Sequence, residues 1–376
     1  MSEIPLRLGL QQRVFPVYRA PFFEALGAIC RGGLSLCAGQ PRRDEAIESA
    51  SGLKNGQFFR ARNLHLLRGG AYLCWQAGLL RWLSVWQPEA LIVEANPRYL
   101  NTPLAVRWMH ARRRPVIGWG LGAPNVRSGL LDRSRRRFLL SFDALIAYSA
   151  RGAREYAKAG FDPRRIFTAP NAAAPRPSAP PPGRPVEKPA SDLTILYVGR
   201  LQARKRVDLL IRACARLPRE NQPHLWIVGD GPERTALETL AEKEYPRTQF
   251  FGARHGDELA PLFTQADLFA LPGTGGLAVQ QAMAHALPVI VAEADGTQQD
   301  LVRADTGWVI PPGDLDSLAA ILREALADLP RLRRMGAASY QVVAEEINVE
   351  NMVSVFARAV ETALSLYPGA ALPRGG

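Results

Sequence analysis

Residues 193–200, LTILYVGR, read as a buried strand ending in Gly199-Arg200, and LQARKRVDLLIRACARL (201–217) follows with apolar side chains at helical spacing. The alternation recurs at LWIVGDGPER (225–234), DLFALPGTGGLAVQQAMAHALPVIV (267–291) and GWVIPPGD (307–314). Short, continuous apolar strands that each lead into an amphipathic helix are the pattern of a parallel sheet covered on both faces. Ligands of such sheets bind at the carboxyl ends of the strands. There the chain gathers glycines and charges: Gly199-Arg200, Gly229-Asp230-Gly231 and Gly273 to Gly276. This is the pattern expected of a nucleotide-binding domain.

Working outward, the first half repeats the logic. LRLGL (6–10), LSLCAG (34–39), ALIVEA (90–95), PVIGWGLG (115–122) and ALIAYS (144–149) read as strands with helices between them, and YLCWQAGLLRWLSVW (72–86) reads as one helix with a broad apolar face. In APRPSAPPPGRPVEKPA (174–190), seven of the seventeen residues are proline. Proline at that density propagates neither helix nor sheet, which predicts a linker. The expected organisation is therefore α/β, with doubly wound domains over 1–172 and 191–347, a linker over 173–190, a helix over 348–366 that crosses back to the first domain, and a disordered tail over 367–376.

The 376 residues suffice for two cores, and contents of 47% apolar and 22% charged residues suit a soluble globular protein. No N-terminal export signal or membrane-length apolar run is read. Cys30, Cys37, Cys74 and Cys214 have neither zinc-ligand nor CxxC spacing, so a reducing cytoplasm is expected. The net charge of +12 is lopsided: residues 1–170 hold 26 Lys+Arg against 11 Asp+Glu, giving +15, and the remainder carries −3. That asymmetry points to an anionic partner for the first half. Nucleic acid is the weakest choice, because no recognition motif accompanies the charge.

The composite of GR-x4-K (199–205), VGDGP (228–232), a glycine-rich loop before AMAHALPVI (282–290) and TGWVIPPGD (306–314) resembles the GT-B glycosyltransferases, and within them glycosyltransferase family 4. The resemblance is strong over 193–314 and architectural over the first 190 residues. It implies two Rossmann-like domains facing across a cleft. It also implies transfer of a sugar from a nucleotide-sugar to an acceptor, with retention of anomeric configuration and without a metal or other cofactor. UDP is favoured slightly over GDP as the carrier.

Cleaving the bond between a sugar and a diphosphate builds negative charge on the departing phosphate, which fixed cations and helix N-terminal amides can stabilise. Arg200, at a strand end, and Lys205, about one turn into the next helix, are the candidates for that role. Gly199, Gly229, Asp230, Gly231 and Arg254 would line the donor's nucleotide side; structural punctuation at the glycines and a surface arginine at 254 are the competing readings. The family usually has a glutamate eight residues before a second one in the glycine-rich loop. Here Gly273 and Gln281 stand in those places. Gln281 retains an amide oxygen for a ribose hydroxyl, and the amides of Thr274, Gly275, Gly276 and Leu277 would hold the donor. A non-catalytic scaffold that binds a glycan or a partner enzyme is the alternative these replacements raise.

The resemblance puts the acceptor on the first domain. Tyr18, Arg19, Asn96, Arg98, Trp119 and Gly120 lie at or beside strand ends as candidate acceptor contacts, and Glu94 is the candidate base. Trp119 suits stacking on a sugar face, or equally a place in the core. RWMHARRR (107–114) and RSRRRF (133–138) interleave cations with apolar side chains beside the apolar 72–86 face. Such a surface suits anionic lipid, which predicts a peripheral enzyme on the cytoplasmic face of a membrane with a glycan or lipid-linked acceptor.

Overall fold

The computed structural model describes residues 3–368 except 43, 44, 46, 68, 124–129, 255, 276, 295 and 296. Two compact units emerge, one formed by Met1–Pro175 with Val349–Gly376 and the other by Arg176–Asn348.

The first unit runs β1 (Leu8–Val14), α1 (Ala20–Ile29), β2 (Leu34–Gly39), β3 (Gln57–Arg60), β4 (Arg62–Leu66), β5 (Leu73–Ala77), α2 (Leu79–Trp86), β6 (Ala90–Glu94), α3 (Thr102–His110), β7 (Val116–Gly120), α4 (Leu130–Leu139), β8 (Ala144–Ala147), α5 (Ala150–Lys158) and β9 (Ile166–Thr168). Seven of these strands make a parallel sheet in the order β3-β2-β1-β6-β7-β8-β9, while β4 and β5 pair antiparallel as a separate hairpin. The inner strands are apolar because helices cover both faces of the sheet. The expected helix over 72–86 is corrected: Leu73–Ala77 is a strand, and Gly78, at φ 97°, separates it from α2. That φ is one glycine adopts readily and that a continuous helix excludes.

The second unit comprises β10 (Thr194–Val198), α6 (Val207–Ala215), β11 (His224–Val228), α7 (Arg234–Glu244), β12 (Thr248–Gly252), α8 (Ala260–Gln265), β13 (Leu268–Leu271), α9 (Leu277–Ala284), β14 (Val289–Ala292), α10 (Thr297–Leu301), β15 (Gly307–Ile310), α11 (Leu315–Ala327) and α12 (Leu329–Glu345). Its parallel sheet runs β12-β11-β10-β13-β14-β15. Aspartates start the last two helices, Asp314 accepting from the Ser317 amide at 2.9 Å and Asp328 from the Arg331 amide at 2.8 Å. The proline-rich run from Arg176 belongs to this unit. Arg184 donates to the carbonyls of Phe263, Ala266 and Ala286, and Lys188 pairs with the buried Asp267 at 2.8 Å.

The last helix, α13 (Val349–Ser365), belongs to the first unit. Its buried side chains include Met352, Val353, Phe356 and Val360, and Phe356 meets Phe22 of α1 edge-on at 4.7 Å.

Candidate active site

In the second unit the strand order reverses between β10 and β13, and the loops leaving these two strands lie where doubly wound sheets bind ligands. Lys205 lies in the first of these loops, with its Nζ against Gly275 of the second. It closes a tight 3-10 turn, Ala203–Lys205, rather than sitting within the following helix as expected. Arg206, in the left-handed region at φ 53°, separates that turn from α6. Among the described residues no carboxylate pairs with Lys205. Burial, with the nearby Arg204 cation second, pushes its ammonium down to about 8. Arg200 is exposed, with no ion pair among the described residues.

The second loop is pressed onto the first. An added Cβ at Gly273 would meet the Arg204 carbonyl oxygen and the Lys205 carbonyl carbon, each at 2.4 Å, and one at Gly275 would come within 2.1 Å of Lys205 Nζ. The Thr274 amide donates to the Arg204 carbonyl at 3.2 Å, and the Arg204 guanidinium to Thr274 Oγ1 at 2.8 Å. In this arrangement the Thr274 amide, expected to hold a donor, already has a partner. Gly276 lies outside the described residues. Leu277 is half-buried where α9 begins, and Gln281 is exposed one turn on.

Gln298 completes this loop and was not foreseen. It is fully buried, and its Nε2 donates to the Gly273 carbonyl at 3.1 Å while its Oε1 has no partner among the described residues. Only the polar run TQQD (297–300) after a strand hinted at it.

The turn at 229–231 spends its glycines on the chain's own backbone. A Cβ at Gly229 would lie 1.9 Å from the Gly199 carbonyl oxygen, and one at Gly231 2.3 Å from that of Leu201. The two turns are joined by Gly199 N to the Val228 carbonyl and Leu201 N to the Asp230 carbonyl, both at 2.9 Å. The Asp230 carboxylate accepts from the Gly231 amide and faces Arg234 at 3.3 Å. Arg254 is exposed and faces Glu258 at 3.4 Å.

In the first unit the equivalent reversal falls between β1 and β6. Glu94 ends β6, where one carboxylate oxygen accepts the Arg13 amide at 2.7 Å. Desolvation raises its pKa, against the Arg13 amide and the charges of Arg19 and Arg13, so it holds its proton to higher pH than an ordinary glutamate. Arg19 donates to Gln12 Oε1 at 2.9 Å and the Tyr148 hydroxyl at 3.0 Å, and its guanidinium stands 4.5 Å from the centre of the Trp119 ring. Tyr18 and Arg98 are exposed, and Asn96 accepts the Arg98 amide at 3.1 Å.

Trp119 is a core residue. It is fully buried, with Phe356, Tyr148 and Phe22 at 4.9, 5.1 and 5.7 Å between ring centres, which leaves no ring face for a sugar. A Cβ at Gly120 would come 2.7 Å from the Tyr156 hydroxyl, so this glycine too serves internal packing. Sequence reasoning also missed a buried amide network beneath these strand ends. Gln11 Nε2 donates to Gln76 Oε1 at 2.9 Å, Gln76 Nε2 to Asn63 Oδ1 at 3.0 Å, and Asn101 Nδ2 to the Gln76 carbonyl at 2.6 Å. Its signal was the pair Gln11-Gln12 inside an apolar strand.

Two doubly wound units, the second with cations at its switch point that have no ion pair among the described residues, make up a GT-B fold. Residues 184–342 match the family described as Glycosyl transferases group 1. Over 227 residues the chain is 30% identical to a GDP-mannose-dependent alpha-mannosyltransferase of Mycobacterium tuberculosis, a match spanning 58% of this chain and 56% of that one. Over 141 residues it is 34% identical to the sulfoquinovosyl transferase SQD2 of Arabidopsis thaliana, spanning 36% and 26%. The chain thus covers between about a quarter and rather more than half of these relatives' lengths. The Anabaena protein HepE, solved in complex with UDP, shares the fold over 96% of this chain and 100% of its own, with a TM-score of 0.66 and 17% identity.

Proposed function

We propose that the protein transfers a sugar from a nucleotide-sugar to an acceptor, with retention and without a metal, as family 4 enzymes do. The observation that carries this reading is the half-buried Lys205. It has no carboxylate partner among the described residues and is flanked by Arg204, at the sheet's switch point. A half-buried cation with no carboxylate partner among the described residues favours an anionic ligand, and a departing diphosphate is one. Arg200 would share that charge. Gly199, Gly229, Asp230, Gly231, Arg254, the 273–277 loop and Gln281 would line the donor, with UDP the slightly favoured carrier. Glu94, Tyr18, Arg19, Asn96, Arg98 and Gly120 remain the candidates on the acceptor side. The acceptor would be a lipid-linked glycan or a growing bacterial polysaccharide, met at the cytoplasmic face of a membrane through the basic first unit.

The test is thermal stabilisation by UDP, GDP, ADP and dTDP and their sugars, with Arg200→Ala and Lys205→Ala as controls. A ligand at ~100 times its dissociation constant should add about 2.7 kcal/mol. A shift confined to one nucleotide and lost in both variants supports the reading. No shift with any nucleotide sinks it. It would then favour a scaffold that binds without turnover, a reading the tight packing around Gly273 also suits.

A further inference from the structure

The hairpin β4–β5 presents two unlike faces. Inward, Gln76 and Asn63 join the buried amide network, and Cys74 is buried. Outward, alternation places Arg62, Leu64 and Leu66 on one strand, with Trp75 opposite Leu64 and Leu73 opposite Leu66. Leu64, Leu66 and Trp75 are 38%, 45% and 37% exposed, and Leu67 beyond them is 63% exposed. Leu100, bonded through its amide to the Cys74 carbonyl, is exposed beside the strand. The inner amides hold the hairpin in place, so its apolar outer face cannot turn inward. Contiguous apolar side chains exposed on a rigid element mark a docking surface.

Charge identifies the occupant. From Ser49 to Pro88 the chain holds five Lys+Arg (Lys54, Arg60, Arg62, Arg68 and Arg81) and not one Asp or Glu. A second copy of this face would bring like charge against like. An anionic bilayer offers both a negative surface and an apolar interior, and tryptophan suits the boundary between them. We propose that the outer face of hairpin β4–β5, through Leu64, Leu66, Leu67 and Trp75 with Arg62 beside them, docks the protein on an anionic lipid surface. This rests on the membrane reading above and moves its contact away from α2, which buries Leu79, Trp82 and Leu83.

The experiment is flotation of the full chain with phosphatidylcholine vesicles, with and without about 30 mol% phosphatidylglycerol. The wild type should float only with the anionic vesicles. The doubly substituted Leu66→Ser/Trp75→Ser protein should bind at least about tenfold more weakly, with its melting temperature unchanged. Brominated lipid should quench tryptophan fluorescence in the wild type and do so less in Trp75→Phe, a variant that keeps an aromatic ring at that position. No flotation of the wild type would overturn the membrane reading and this surface together. Flotation lost only in Arg112→Glu/Arg113→Glu would overturn the surface and leave the membrane reading standing. A concentration-dependent dimer abolished by the hairpin substitutions would show a second copy as the occupant and overturn the proposal.

Discussion

Nucleotide-sugar binding should weaken as pH rises through about 8, and Lys205 should be the cause. Its ammonium sits at about 8 because burial and Arg204 disfavour charge. A bound diphosphate would supply the missing counter-charge and lift it back toward the ordinary lysine value near 10.4. The ligand therefore selects the protonated form, so affinity is full below 8 and lost above it. Between pH 7 and pH 9 the protonated fraction of a group at about 8 falls from about nine-tenths to about one-tenth, so the dissociation constant should rise roughly tenfold. The diphosphate of a nucleotide-sugar does not titrate in this window. Calorimetry at half-unit pH steps, on wild type and Lys205→Met, reads the effect directly, and the variant also subtracts any titration of the base. It should bind weakly and with a flat profile. The stability of the ligand-free protein should move the opposite way. Between about 8 and 10.4 the unfolded chain holds the proton that the folded one has lost, so the wild type gains on the variant as pH rises. A tenfold loss of affinity that persists in Lys205→Met would refute the argument and assign the titration to another group.

Gly273→Glu, which places a glutamate where the family usually has one, should lower stability by about 1–3 kcal/mol in urea denaturation, since the side chain must displace the backbone at 204–205; tighter nucleotide-sugar binding with unchanged stability would show that the loop re-forms. Trp119→Ala should cost about 3–5 kcal/mol, seen as an early transition by circular dichroism, while nucleotide still protects the second unit; a change of less than about 1 kcal/mol would contradict its place in the aromatic core. Gln298→Ala strips the Gly273 carbonyl of its buried donor and should cost about 1–3 kcal/mol while raising KM for the donor; unchanged KM would mean that Gln298 does not position the loop.

Much of the second unit was legible because its strands are short continuous apolar runs and its helices keep a clear period. The switch-point loops could be located from that pattern alone. The hairpin could not. Leu64 and Leu66 alternate correctly for a strand, but YLCWQAGLLRWLSVW has apolar side chains dense enough to fit a helical face throughout. Only the conformation of Gly78 divides it into β5 and α2. Lys205 was misplaced for a related reason: nothing in ARKRVD announces that Arg206 adopts a left-handed conformation and delays the helix.

The candidate site shows a deeper reason for what stayed hidden. A glycine at a strand end announces that something approaches its Cα closely, but not what. At Gly229 and Gly231 the visitor is the backbone of Gly199 and Leu201, at Gly273 that of Arg204 and Lys205, and at Gly120 the hydroxyl of Tyr156. In the second unit the glycines weld the loops to one another, and the welding holds Lys205 against Gly275 where no carboxylate among the described residues reaches it. A ligand would then find cations already in place, and little of its binding energy would go to ordering them. On this argument the glycine-rich motif matters to a phosphate chiefly through what it does to a lysine. Replacing Gly229 with alanine should therefore weaken nucleotide binding although no added atom need touch the nucleotide.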